Sequence, residues 1–154
     1  MSQVNRPVEF VSVRNIDAPF YSADVEKADG HPADIVALKA RIAAADGLIL
    51  ASPEFNGGMP AMLKNTIDWL SRVGRPILPG PLLLLSTSPG GRGGQTNLGV
   101  LAERAGRWGA TVTGTFSLPS FHKTFDRQAR TLVDPEDQAR LDAAIATFEA
   151  ALPS

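Results

Sequence analysis

Gly47-Leu48-Ile49-Leu50-Ala51-Ser52-Pro53-Glu54-Phe55-Asn56-Gly57-Gly58-Met59-Pro60 runs from a short apolar strand through a loop of glycine and proline. It leads straight into Leu63-Lys64-Asn65-Thr66-Ile67-Asp68-Trp69-Leu70-Ser71-Arg72, which reads as an amphipathic helix. A loop at the carboxyl end of a buried strand is where open α/β sheets bind their ligands. Pro53 removes one donor and fixes one φ angle, while Gly57 and Gly58 admit backbone conformations closed to other residues and place no side chain before a flat ligand. Main-chain N–H and C=O groups can then face that ligand. Pro60 suits a first helical turn, and Leu63, Ile67 and Leu70 recur at i, i+4 and i+7 to give the helix one buried face, with Asp68 and Arg72 spaced to pair on the outer side. An ordinary βα turn has the same composition, so the loop by itself leaves both readings open.

Working outward, strand and helix alternate. Val8–Arg14 alternates enough to predict an edge or near-edge strand, and 15–32, with two prolines and several turn residues, predicts a loop. A helix is expected over 33–45, with Ile35, Leu38 and Ile42 on one face. After the quoted block, Pro76, Pro79 and Gly80 interrupt the chain before a strand over 81–87, whose unbroken leucines predict burial on both faces. A glycine-rich loop follows, then a helix over 95–108 and a strand over 110–116 rich in threonine and valine. An extended segment over 117–131 ends at Asp134-Pro135-Glu136, an N-cap with proline in the first turn, which starts a last helix to about residue 150. Such alternation predicts an α/β fold with a parallel sheet and helices on both faces, in one domain over 1–154.

Composition narrows the function. The chain has 154 residues, enough to bury roughly two thirds of its unfolded surface. A net charge of -1 supplies no broad field for nucleic acid or an anionic membrane, so a small-molecule ligand is expected. The absence of cysteine excludes disulfides, thiolate nucleophiles and cysteine-ligated metal centres. His31 and His122 have no ligand-spaced companion, so no metal site is expected. The longest apolar run, Leu82 to Leu85, is far short of the ~20 residues that span a bilayer, and no signal-peptide pattern opens the chain, so a cytoplasmic location is expected.

A second loop, Ser86-Thr87-Ser88-Pro89-Gly90-Gly91-Arg92-Gly93-Gly94-Gln95, lies between a buried strand and a helix, the context for main-chain contacts to a flavin or a pyrophosphate. A flexible connection would read similarly. Trp69 and Trp108 read as packing or interface residues, and His122 as an exposed loop residue.

The block Pro53-Glu54-Phe55-Asn56-Gly57-Gly58-Met59-Pro60 with Leu63 to Arg72 resembles the NAD(P)H-dependent FMN reductase family of flavin, quinone, azo-dye and chromate reductases. Asp17-Ala18-Pro19-Phe20-Tyr21, Ser88 to Gly94, and Phe125-Asp126 with the closing helix resemble further segments of that family, in register over nearly the whole chain. The resemblance implies a flavodoxin-like three-layer sandwich and an oxidoreductase that uses FMN to carry electrons from NAD(P)H to free flavin, a quinone or another small electrophile. It implies that Pro53, Glu54, Phe55, Asn56 and Gly57, with Ser88, Gly90, Gly91, Arg92 and Gly93, hold FMN and the nicotinamide nucleotide. Asn56 would serve the flavin ring or ribityl chain, Arg92 the nucleotide phosphates, and Glu54 a hydrogen bond or ion pair at a subunit contact. No residue is assigned as catalytic, because the cofactor carries the hydride chemistry. The resemblance and the loop aromatics Phe20, Tyr21, Phe121 and Phe125 imply a homodimer or homotetramer.

The sequence departs from the family at its start. The family opens with a strand and a Ser/Arg/Asn loop that holds the FMN phosphate, and Met1-Ser2-Gln3-Val4-Asn5-Arg6-Pro7 has room for neither, so the first βα unit is expected to be missing. In the strand order 2-1-3-4-5 that strand is central. Three fillers are conceivable: Val8–Arg14 takes the central position, another subunit lends a strand, or the gene product starts further upstream. The alternative function is a flavin-free paralogue acting as a binding or assembly subunit.

Overall fold

The computed structural model describes residues 4–154. Of Met1-Ser2-Gln3-Val4-Asn5-Arg6-Pro7, read as too short for a strand or phosphate loop, Met1 to Gln3 lie outside them. Three parallel strands form the sheet: β1 (Leu48–Ala51), β2 (Gly80–Thr87) and β3 (Ala110–Leu118), side by side in chain order. β2 is central. Leu48 to Ala51 lie against Leu82 to Leu85, and Thr87 lies against Leu118, so the strands end together and their following loops share one end of the sheet.

The four leucines of β2 explain the layering, because successive side chains point to opposite faces. Leu82 and Leu84 belong to the larger core, with α2 (Ala33–Ala44), α3 (Ala61–Val73) and α4 (Gln95–Trp108). Leu83 and Leu85 meet Ile145 and Phe148 of α6 (Pro135–Ala150) on the other face. The expected burial of this strand on both faces and the three-layer α/β arrangement are both present. Ile35, Leu38 and Ile42 of α2 and Leu63, Ile67 and Leu70 of α3 are buried as their spacing predicted. Asp134 caps α6 by accepting from the Glu136 N–H at 2.8 Å, with Pro135 in the first turn. Trp69 is fully buried, and its indole N–H donates to the Pro19 carbonyl at 2.8 Å.

Four expectations need correction. Val8–Arg14 is no strand: residues 7–12 have no regular structure, and Val13–Asn15 forms a single 3-10 turn. Val8 and Phe10 are exposed, and the segment is tied down by ion pairs instead, Arg6 with Asp46 at 3.4 Å and Glu9 with Arg41 at 2.6 Å. Val8–Arg14 therefore does not take the central position, and among the described residues β1 pairs only with β2.

The supposed loop over 15–32 contains α1 (Ala23–Asp29), whose N-cap Ser22 accepts from the Val25 N–H at 3.2 Å. The extended segment after β3 holds one helical turn, α5 (Phe121–Thr124), and a two-residue hairpin of β4 (Phe125–Asp126) and β5 (Thr131–Leu132).

The expected Asp68–Arg72 pair is also absent. Asp68 pairs with Lys64 at 2.7 Å, and Arg72 reaches across to Glu26 of α1, its Nε lying 3.1 and 3.0 Å from the two carboxylate oxygens. Glu26 also accepts from the Tyr21 hydroxyl at 3.1 Å and lies 3.3 Å from the His31 ring nitrogen. The Arg72 guanidinium holds the Glu26 carboxyl below its ordinary 4.5 against the opposing effect of burial, with the Tyr21 and His31 contacts adding to it.

Candidate functional site

The candidate site is built where β1, β2 and β3 end. After β1 the Ser52 N–H continues the ladder to Leu85 O at 2.9 Å, and the chain then turns at Phe55-Asn56-Gly57-Gly58. Phe55 and Gly58 exchange two main-chain hydrogen bonds, 2.9 and 3.1 Å, around Asn56 at φ 51° and Gly57 at φ 76°. Two successive positive φ angles define a type I′ turn, which Asn-Gly satisfies with least strain. The local sequence thus dictates this loop. Its inward N–H groups are spent on the turn, while those of Asn56 and Gly57 have no partner among the described residues.

The second loop leaves β2 and is held from the side by the chain that leaves β3. Ser88 N–H donates to Leu118 O at 3.2 Å, Phe121 N–H to Ser88 O at 3.0 Å, and Ser120 N–H to Gly90 O at 2.8 Å. The Ser88 hydroxyl also donates to Gly90 O at 2.9 Å, and Ser117 Oγ donates to Gly93 O at 3.0 Å. A Cβ at Gly93 would lie 2.1 Å from Ser117 Oγ, so a side chain there is excluded by close packing.

The glycines thus divide by role. A Cβ at Gly57, Gly90 or Gly91 would meet nothing within 4 Å, whereas Gly93 and Gly94 are pressed against β3 and β2.

The two loops are in contact. Glu54 Oε2 accepts from the Asn97 N–H at 2.9 Å, 43 residues away in sequence, and a Cβ at Gly94 would sit 3.7 Å from Glu54 Cβ. Pro53, Glu54, Phe55, Asn56 and Gly57 therefore share one end of the sheet with Ser88, Gly90, Gly91, Arg92 and Gly93. Glu54 makes its hydrogen bond inside the chain, to the first turn of α4. Arg92 is exposed at the rim, with no ion pair among the described residues.

Sequence reading missed Asn97, Ser52, Ser117 and Ser120, all of which hold these loops. The one signal was an asparagine three residues past a glycine cap.

This geometry offers a platform: unpartnered main-chain donors at Asn56, Gly57, Gly90 and Gly91, with open space over Gly57, Gly90 and Gly91. Planar, hydrogen-bonding rings fit such a surface, so the residues present fit a flavin. Two cavities of about 360 and 280 Å³ lie elsewhere, one by α1 and Trp69 and one beside Phe20 and Met62. The open surface over Gly57, Gly90 and Gly91 forms a ledge between the loops.

Among the described residues no group of three or more acidic, histidine or cysteine side chains could hold a metal ion, and no helix is long and apolar enough to cross a membrane.

Several known proteins are similar to this chain. The quinone reductase of Escherichia coli K12 is 44% identical over 79 residues, covering 51% of this chain and 42% of that protein. The NADH:(hydroxy)cinnamate reductase subunit CrdA of Vibrio ruber is 29% identical over 152 residues, 95% of this chain and 72% of that one. The solved structure of FerB, a flavoenzyme NAD(P)H:(acceptor) oxidoreductase from Paracoccus denitrificans, superposes with a TM-score of 0.72 at 26% identity, covering 89% of this chain and 78% of that one. The chain spans less than half the length of the quinone reductases it matches. The sequence profile of the NADPH-dependent FMN reductases matches residues 3–123, and the chain belongs to that family.

Proposed function

We propose that this protein, a single flavodoxin-like domain, is an NAD(P)H-dependent oxidoreductase that holds FMN on the ledge between the two loops and reduces a small acceptor such as a quinone or free flavin. The observation that carries this reading is the junction of the loops through Glu54 and Asn97, which gathers unpartnered main-chain donors on one open surface. Bound there, FMN supplies the two-electron relay between nicotinamide and acceptor.

The chain's own part is to bind and orient. Asn56 and Gly57 present N–H groups from a rigid turn, and Gly90 and Gly91 let the backbone approach the ring without a side chain intervening. Arg92, exposed at the rim, would meet the nucleotide phosphates. The Glu54 carboxylate is occupied at α4, which accords with a site that needs no protein base. Family membership and the quinone reductase relatives support the acceptor class.

The same reading includes a cytoplasmic location, where reduced nicotinamide is supplied, and a homodimer or homotetramer, supported by the exposed Phe20, Phe55 and Met62. The test is to incubate the protein with FMN, desalt it and record the visible spectrum. Retained flavin bands that bleach with NADPH and recover with a quinone are expected. A colourless protein that leaves NADPH unoxidised overturns the reading.

A further inference from the structure

Asn97 is completely buried, at the third position of α4, and carries more of the loop junction than any residue in the loops themselves. Helix first-turn N–H groups have no intrahelical acceptor. Gly94, the N-cap, has no side chain to supply one, and none could be added: a Cβ there would lie 2.0 Å from Ser86 Oγ, at a positive φ of 76°. The acceptor comes instead from the neighbouring loop, as Glu54 Oε2 takes the Asn97 N–H at 2.9 Å. The Asn97 side chain returns the connection: its Nδ2 donates to Ser52 Oγ at 2.9 Å and to Pro53 O at 3.0 Å. Three hydrogen bonds thus fasten residues 52–54, after β1, to the first turn of the helix after β2.

We infer that Asn97 is a positioning residue which, with the Glu54 carboxylate, fixes the separation and tilt of the two loops; its consequence for flavin rests on the function proposed above. Its side chain donates to Ser52 and Pro53 and its N–H donates to the Glu54 carboxylate, so the loop after β1 is tied to the first turn of the helix that follows the second loop, and the donors of Asn56 and Gly57 keep register with those of Gly90 and Gly91. A carboxylate at the amino end of α4 also lies at the positive pole of the helix, where it takes the Asn97 N–H.

The experiment compares Glu54→Ala, Glu54→Gln and Asn97→Ala with the unaltered chain. Amide hydrogen exchange on flavin-free protein reads the junction directly. Glu54→Ala and Asn97→Ala should speed exchange across residues 54–58 and 88–97 together, with Leu82 to Leu84 still protected. Glu54→Gln, which keeps an acceptor oxygen, should remain near the unaltered chain. FMN titration should then show affinity weakened about tenfold or more in Glu54→Ala, with an altered flavin spectrum, and largely restored in Glu54→Gln.

If Asn97→Ala does not fold, the two Glu54 variants decide the matter. Normal exchange over 88–97 in Glu54→Ala, or a Gln variant as damaged as the Ala variant, overturns the inference. Failure of the unaltered chain to bind FMN would overturn the proposed function while leaving the exchange result to judge the junction by itself.

Discussion

Single residues act here through the groups they satisfy in other parts of the chain. Glu26 shows this at the outer surface, where one carboxylate joins α1 to α3 through Arg72 and to the preceding turn through Tyr21. Its pKa is lowered, chiefly by Arg72. A carboxyl whose folded pKa lies below its unfolded value contributes stability above the unfolded value and loses it as pH falls through the folded one. Glu26→Gln should therefore be less stable than the unaltered chain at neutral pH, and the difference should shrink as pH drops below 4.5. Urea melts at a series of pH values check this, and two curves that stay parallel through the acid range contradict it. The sequence displayed Arg72 and Asp68 at helical spacing, but the actual partners were Lys64 for Asp68 and Glu26 for Arg72. Spacing on a helix lists the local candidates and cannot rank them against a carboxylate brought in by another element. Asn97 escaped notice for the same reason: its partners are more than 40 residues away.

At the scale of elements, the segments legible in the sequence were those whose own pattern required burial. The leucines of β2, the spaced apolar faces of α2 and α3, and the capped start of α6 each carry their structural cause locally. Val8–Arg14 has a strand's alternation and no partner among the described residues, and a strand exists only as one side of a pairing. α1 was overlooked although Ser22 and the acidic Asp24 and Glu26 mark a helix start, because the surrounding prolines drew the reading toward a loop.

The β2 pattern yields a quantitative expectation. Leu83 is fully buried and faces α6 with Ile145 and Phe148, whereas Leu82 and Leu84 face the larger core. Leu83→Ala should cost about 2–5 kcal/mol, from lost transfer energy and the cavity left behind. The lost contacts are those of α6, so protection of α6 amides should fall more than that of α2. Hydrogen exchange and denaturant melts read both quantities, and a loss below about 1 kcal/mol would mean that α6 packs there too loosely to define a second layer.

Over the whole molecule, the two faces of the sheet are unequally covered. α2, α3 and α4 close one face, while on the other α6 meets β2 and β3. Ile49 and Ala51 are opposite Leu83 and Leu85 and so share the α6 face, yet both are exposed, and the outer edge of β1 has no strand partner among the described residues. An exposed edge with apolar side chains is a surface that soluble proteins ordinarily cover. Phe20, 80% exposed, adds a large exposed aromatic. The self-association proposed above would bury part of this surface, and it makes a prediction that differs from that of a lone chain. Folding coupled to association depends on protein concentration by mass action, so the melting midpoint should rise by several degrees between roughly 1 and 100 μM, alongside a dimer or larger mass in sedimentation. Phe20→Ser should weaken that dependence while leaving the secondary structure intact, since the side chain it removes contributes little to the core. A midpoint independent of concentration, together with a monomer mass throughout that range, would mean that the open β1 edge and Phe20 remain solvated.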